Sequence, residues 1–99
     1  MRIWAVEIAS DDLIRPHRLD ERVLTSLSEA LDADTRVFDA DVVGDGRALY
    51  ARFDLHADDK ATAINDATAI FVAAVAHAGA SDAVAPLRPQ VRAREHLLR

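Results

Sequence analysis

Hydrophobic and polar positions alternate most regularly between Arg36 and Leu55, in two runs that flank Asp45-Gly46. Asp-Gly is a favoured pair for a two-residue type I′ hairpin turn, because both central residues of that turn need positive φ. The expected register sets Gly44 opposite Arg47, Val42 opposite Leu49, Ala40 opposite Ala51 and Phe38 opposite Phe53, which gathers the apolar residues on one face. It sets Asp41 opposite Tyr50, Asp39 opposite Arg52 and Val37 opposite Asp54 on the other. A slip of one residue would turn Phe38 to the solvent side, so burial of one face should hold the pairing, with Phe38/Phe53 at the centre of the core.

Ahead of the hairpin, Arg2 to Ile8 alternates so that Trp4, Val6 and Ile8 share a wholly apolar face, while Glu7 marks the other. This predicts a first strand with the Trp4 face inward, ended by Ser10-Asp11-Asp12. The pattern from Asp12 to Leu19 is irregular, and Pro16 suits the first turn of a helix that follows it. Leu19, Val23, Leu27, Ala30 and Leu31 then recur at helical spacing, with Asp20 and Glu21 expected in the first turn, where the helix dipole favours acids.

After the hairpin, Asp58 or Asp59 should cap a second helix from Lys60 to Ala78, stopped by Gly79. Its buried stripe is expected to be Ile64, Ala67, Phe71, Ala74, Val75 and Ala78. The second half, with Ile70, Val72, Ala73 and Ala76, is apolar nearly all round. Pro86 and Pro89 rule out a central strand in the last stretch but allow a short edge strand within 84–94, then a turn or helical stub at Glu95-His96-Leu97-Leu98.

The order strand, helix, strand, strand, helix, edge strand is that of the ferredoxin-like split β-α-β fold. The class is therefore α+β, βαββαβ, with a single antiparallel sheet carrying two helices on one face. The chain of 99 residues is one domain, 1–99. In topology and length it also resembles small cofactor-independent monooxygenases and lactone isomerases of the dimeric α+β barrel kind. That resemblance implies a ligand site near Tyr50, Arg52, Asp54 and His56.

Composition narrows the chemistry. The absence of cysteine excludes disulfides and thiolate metal sites, and it fits a cytoplasmic location. Glu7 interrupts the apolar run Ile3-Trp4-Ala5-Val6 before it reaches the length of a signal-peptide core, and Ala67–Ala78 is shorter than a membrane span. Eleven arginines against one lysine, with abundant alanine, suggest a high-GC bacterial source. Residues 1–86 hold twice as many acidic as basic groups, whereas the last thirteen carry Arg88, Arg92, Arg94 and Arg99 against Glu95 alone. This basic segment is the one candidate phosphate-contacting footprint, on a body whose charge opposes nucleic acid.

No recognisable catalytic constellation stands beside these features, so the reading leans away from an enzyme. Gly44, Gly46 and Gly79 make no phosphate loop, which argues against a nucleotide cofactor, and none is expected. Ser10, Ser26, Ser28 and Ser81 lack the surroundings of a nucleophile, and His17, His77 and His96 are scattered. Asp54, His56 and Asp58 alternate and could face one way, but the plainer reading is an exposed strand end running into a helix cap, without a metal.

The informative surface is the sheet face opposite the helices, expected to carry Ile3, Ala5, Glu7, Val37, Asp39, Asp41, Val43, Tyr50, Arg52, Asp54 and His56. Of these, Asp39, Asp41, Tyr50, Arg52, Asp54 and His56 are the candidate ligand or partner residues. The expectation is a small non-enzymatic binding or assembly module acting through this face or through the apolar second helix, as a homodimer or as a subunit with another protein. A barrel-type enzyme and a nucleic-acid-associated protein are the alternatives, and no membrane is involved.

Overall fold

The computed structural model describes residues 2–10, 20–44, 48–79 and 90–95. Its elements are β1 (Arg2–Ser10), α1 (Glu21–Asp32), β2 (Val37–Gly44), β3 (Leu49–Ala57), α2 (Lys60–His77) and β4 (Gln90–Glu95). The strands form one four-stranded sheet in the order β2-β3-β1-β4, and every neighbouring pair is antiparallel. Among the described residues the fold is α+β, with one antiparallel sheet and two helices. No helix among the described residues is long and apolar enough to cross a membrane.

Trp4, Val6 and Ile8 face inward as their pattern predicts, joined by Leu49, Ala51, Phe53 and Leu55 of β3 and Ala93 of β4. Leu27 and Leu31 of α1 and Ala63, Ala67, Ile70, Phe71, Ala74 and Val75 of α2 complete one cluster with this sheet face. Burying a side chain such as Leu or Phe contributes about 1.5–3 kcal/mol, which makes the cluster the main source of stability. The buried indole N–H of Trp4 donates to the Ala57 carbonyl at 3.1 Å, so the polar end of that residue is also satisfied.

Helix boundaries follow local chemistry. Asp59 caps α2 by accepting from the Thr62 N–H at 2.8 Å, and Gly79 closes it at φ 73°, a conformation that costs glycine little. Asp20, expected in the first turn of α1, is instead its N-cap and accepts from the Val23 N–H at 3.0 Å. The buried stripe of α2 takes in Ala63 and Ile70 as well, leaving Ile64 and Ala78 partly buried at its margin. Leu19 and the Pro16 turn lie outside the described residues. β4 fulfils the expected edge strand at Gln90–Glu95, and Glu95 belongs to it rather than to a following turn.

The expected β2–β3 register is corrected in two ways. Over Asp41–Gly44, Gly44 pairs with Leu49, Val43 with Tyr50, Val42 with Ala51 and Asp41 with Arg52, two residues away from the expected alignment. A two-residue shift keeps every side chain on its face, and both alignments give Arg52 an aspartate opposite, so alternation cannot choose between them. The Asp45-Gly46 turn, with Arg47, lies outside the described residues.

The second correction is a β-bulge between Phe38 and Asp41, beyond which Phe38 pairs with Asp54 and Val37 with Leu55. Two residues of β2, Asp39 and Ala40, stand against Phe53 alone, which reverses the facing of everything before them. Val37 therefore enters the core at 6% exposure, and Phe38 leaves it; the Phe38/Phe53 core pair does not form. Asp39 adopts φ 56°, a left-handed conformation that aspartate tolerates better than most residues.

Helix α1 satisfies the backbone that the bulge displaces. The Ala40 N–H donates to Oδ1 of Asp32 at 3.2 Å, and the Ala40 carbonyl accepts from the Ser28 hydroxyl at 3.4 Å. Upstream, the Arg36 guanidinium holds both carboxylate oxygens of Asp34, at 3.1 and 3.0 Å, and reaches Asp66 of α2 at 3.4 Å. That hydrogen-bonded arginine holds the Asp34 carboxyl below the usual carboxylate range. The start of β2 is thereby fastened to both helices.

Candidate functional site

The sheet face turned away from the core is built in cross-strand rows set by the pairing registers. Its middle row runs Asp41 (β2), Arg52 (β3), Glu7 (β1), Arg92 (β4), and all four side chains are exposed. Charge alternates across the full width of the sheet. Neighbouring strands lie about 4.8 Å apart, so each charge has an opposite one on the adjacent strand.

On one side of this row lies Val43, Tyr50, Ala9, Gln90; on the other, Phe38, Asp54, Ala5, Arg94. Val43 at 53% and Tyr50 at 44% exposure are the exposed large hydrophobic residues among those described, and they are cross-strand neighbours. The small residue Ala9 separates Tyr50 from Gln90 and leaves an open depression of about 530 Å³, walled by Tyr50, Arg52, Gln90 and Arg92. A second depression, about 320 Å³, lies over Ala5 between Asp39, Arg52, Asp54 and Arg94.

Five of the six expected face residues, Asp41, Tyr50, Arg52, Asp54 and His56, share this face by strand parity. Asp39 sits in the bulge with no residue paired across from it, so the expected Asp39/Arg52 partnership is replaced by Asp41/Arg52. Val37, expected here, is in the core, and Phe38 takes its place with its ring centroid 5.1 Å from that of His56 and tilted by 38°. The Asp54-His56-Asp58 alternation does not gather a metal site, since β3 ends at Ala57 and no metal-holding group of three such side chains occurs among the described residues.

The basic segment divides. Arg92 and Arg94 stand on β4 and belong to the same face as Tyr50 and Arg52, joined to them through Glu7 and Ala5 of β1. Arg88 and Arg99 lie outside the described residues. Two groups of candidates that are forty residues apart in sequence thus form one surface, with Glu7 at its centre. Phe38 was not legible as part of it, because only the bulge puts it there. The alternating charge row was hidden for a similar reason, since it needs the pairing of all four strands.

Chemically, the face offers alternating ion-pairing groups, an aromatic and aliphatic rim and two open depressions. It is suited to matching an extended surface of complementary charge and shape. Comparison with protein-family models, with curated proteins and with solved structures finds no match for this chain.

Proposed function

We propose that this protein is a non-enzymatic binding or assembly module that works through the open face of its sheet. On this reading the architecture is the ferredoxin-like split β-α-β, in which both helices cover one face and the other is free to dock. The observation that carries the proposal is the placement of Val43 and Tyr50, exposed and adjacent, beside a row of alternating charge on the uncovered face. Apolar residues beside ordered charges are how a recognition surface combines affinity with orientation. The same alternation weighs against nucleic acid, because Glu7 and Asp41 interrupt the positive potential that Arg52 and Arg92 would need to follow a phosphate backbone.

Native mass spectrometry of protein purified gently from its own host tests the proposal, run in parallel on wild type and on Arg52→Glu. The expected outcome is a complex, with itself or with another protein, whose population falls at least tenfold in the variant. A wild type that arrives as a lone monomer would sink the reading, as would a complex indifferent to Arg52. Retained small-molecule mass that disappears when Tyr50 or His56 is replaced would move the protein to the ligand-binding or barrel-enzyme class instead.

A further inference from the structure

Building on the proposal that the open face is a docking surface, we infer that its occupant is a second copy of this chain, packed face to face about a two-fold axis parallel to the strands. The middle row reads acid, base, acid, base from β2 to β4. Read backwards, it becomes base, acid, base, acid. A two-fold axis along the strands, midway between β3 and β1, reverses the order of strands while keeping each row over itself. Asp41 then faces the partner's Arg92, and Arg52 faces the partner's Glu7, with both contacts repeated by symmetry.

A two-fold axis across the strands at this same row would set each residue over its own copy, Arg52 on the partner's Arg52 and Glu7 on the partner's Glu7. Charge alone therefore selects one orientation, and like-charge juxtaposition penalises the other. The selection survives sheet twist. Facing sheets pack about 10 Å apart at about −30°, which displaces the inner Arg52/Glu7 contact by only about 1 Å and the outer Asp41/Arg92 contact by about 4 Å, within reach of arginine.

Shape agrees with charge in the flanking rows. The same axis brings Tyr50 over the partner's Ala9, the position whose small side chain floors the larger depression. It brings Phe38 over the partner's Arg94, a cation–π arrangement. Four strands of up to nine residues present roughly 19 Å by 30 Å, on the order of 600 Å² per copy, which is the lower end for a specific interface. At that size complementarity decides whether a dimer holds.

Sedimentation velocity over a broad concentration range is the test, on the full cysteine-free chain and on Glu7→Arg and Arg52→Glu, with circular dichroism melts verifying that each variant is folded. Wild type should be a dimer, and either reversal should weaken it by more than about a hundredfold. An equimolar mixture of the two variants should dimerise again, because every charge at position 7 then meets its opposite at position 52. Should a reversal unfold the chain, Glu7→Gln and Arg52→Gln must each still weaken the dimer about tenfold.

Cross-linking reads the axis separately. A short bis-maleimide should join Val43→Cys to Gln90→Cys in a mixture and neither variant to itself. Self-cross-linking of either one, or a dimer indifferent to positions 7 and 52, overturns the inference. A wild type monomeric at every concentration also overturns it, yet leaves the docking-module proposal standing if the chain binds a different protein through Arg52.

Discussion

Strand β3 is paired on both sides, and its two seams behave differently. Against β1 it holds nine consecutive residue pairs, Arg2/Ala57 to Ser10/Leu49, without interruption. Against β2 the pairing is broken at Asp39 and Ala40 and resumes one residue out of step. Both neighbours alternate, so alternation is not what separates them. The difference lies in how much each would lose by slipping: β1 sinks Trp4, Val6 and Ile8 into the core, and turning three such residues to solvent would cost several kcal/mol. From Ala40 to Gly44, β2 offers the core only Ala40 and Val42, both partly buried.

A slip in β2 is therefore inexpensive, and other contacts offset it. Val37 replaces Phe38 in the core, Phe38 gains His56, and Ala40 exchanges strand partners for Asp32 and Ser28 of α1. A strand keeps its register only as firmly as its buried side chains hold it.

The sharpest way to test this contrast is to truncate the two phenylalanines that the hairpin pattern alone would pair. Phe53→Ala should destabilise the protein by about 3–5 kcal/mol in urea unfolding, and Phe38→Ala by about 1 kcal/mol. Equal losses would restore the unbulged register. Asp39 gives a smaller effect: Asp39→Val should cost about 1–2 kcal/mol because a β-branched residue resists positive φ, whereas Asp39→Gly should be no less stable than wild type. If valine is tolerated as well as glycine, the backbone at this position is not left-handed in solution.

Smaller still is the contribution of α1 to the bulge. Asp32→Ala removes the acceptor of the Ala40 N–H and should cost about 1 kcal/mol, seen as roughly fivefold faster hydrogen exchange at that amide while the β1–β3 amides keep their protection. An unchanged Ala40 rate would detach the bulge from the helix.

The last and smallest effect is at the entry to β2. Because Arg36 depresses the Asp34 carboxyl in the folded state, its stabilisation is present above the unfolded value and is lost as pH falls below about 4. Wild type should exceed Asp34→Asn by a fraction of a kcal/mol at neutral pH, discounted because Arg36 is 47% exposed, and the gap should close in acid. A gap that widens in acid would mean the sign is wrong.

The residues of β1 that face the core, both helices and a cap at Asp58 or Asp59 were legible in the sequence because each rests on spacing within a few residues; the structure chose Asp59. Of the candidate face, Tyr50, Arg52, Asp54 and His56 were readable by parity along one strand. Asp39 and Phe38 were not, since Val37 and Phe38 are adjacent apolar residues and local pattern cannot say which one is buried. The union of Arg92 and Arg94 with Arg52 was equally invisible, because it runs through Glu7 of β1, distant from both in the chain.

By itself the sequence determined the inventory of elements, the inward face of β1 and β3, and the absence of thiol chemistry, all of them consequences of period and composition. Tertiary structure alone decided which residue of β2 enters the core and that four separated charges form one alternating row. Those outcomes depend on energies summed across strands: the burial of Val37 or Phe38 against the same helices, the hydrogen bonds that α1 lends to Ala40, and the registers of three pairings taken together.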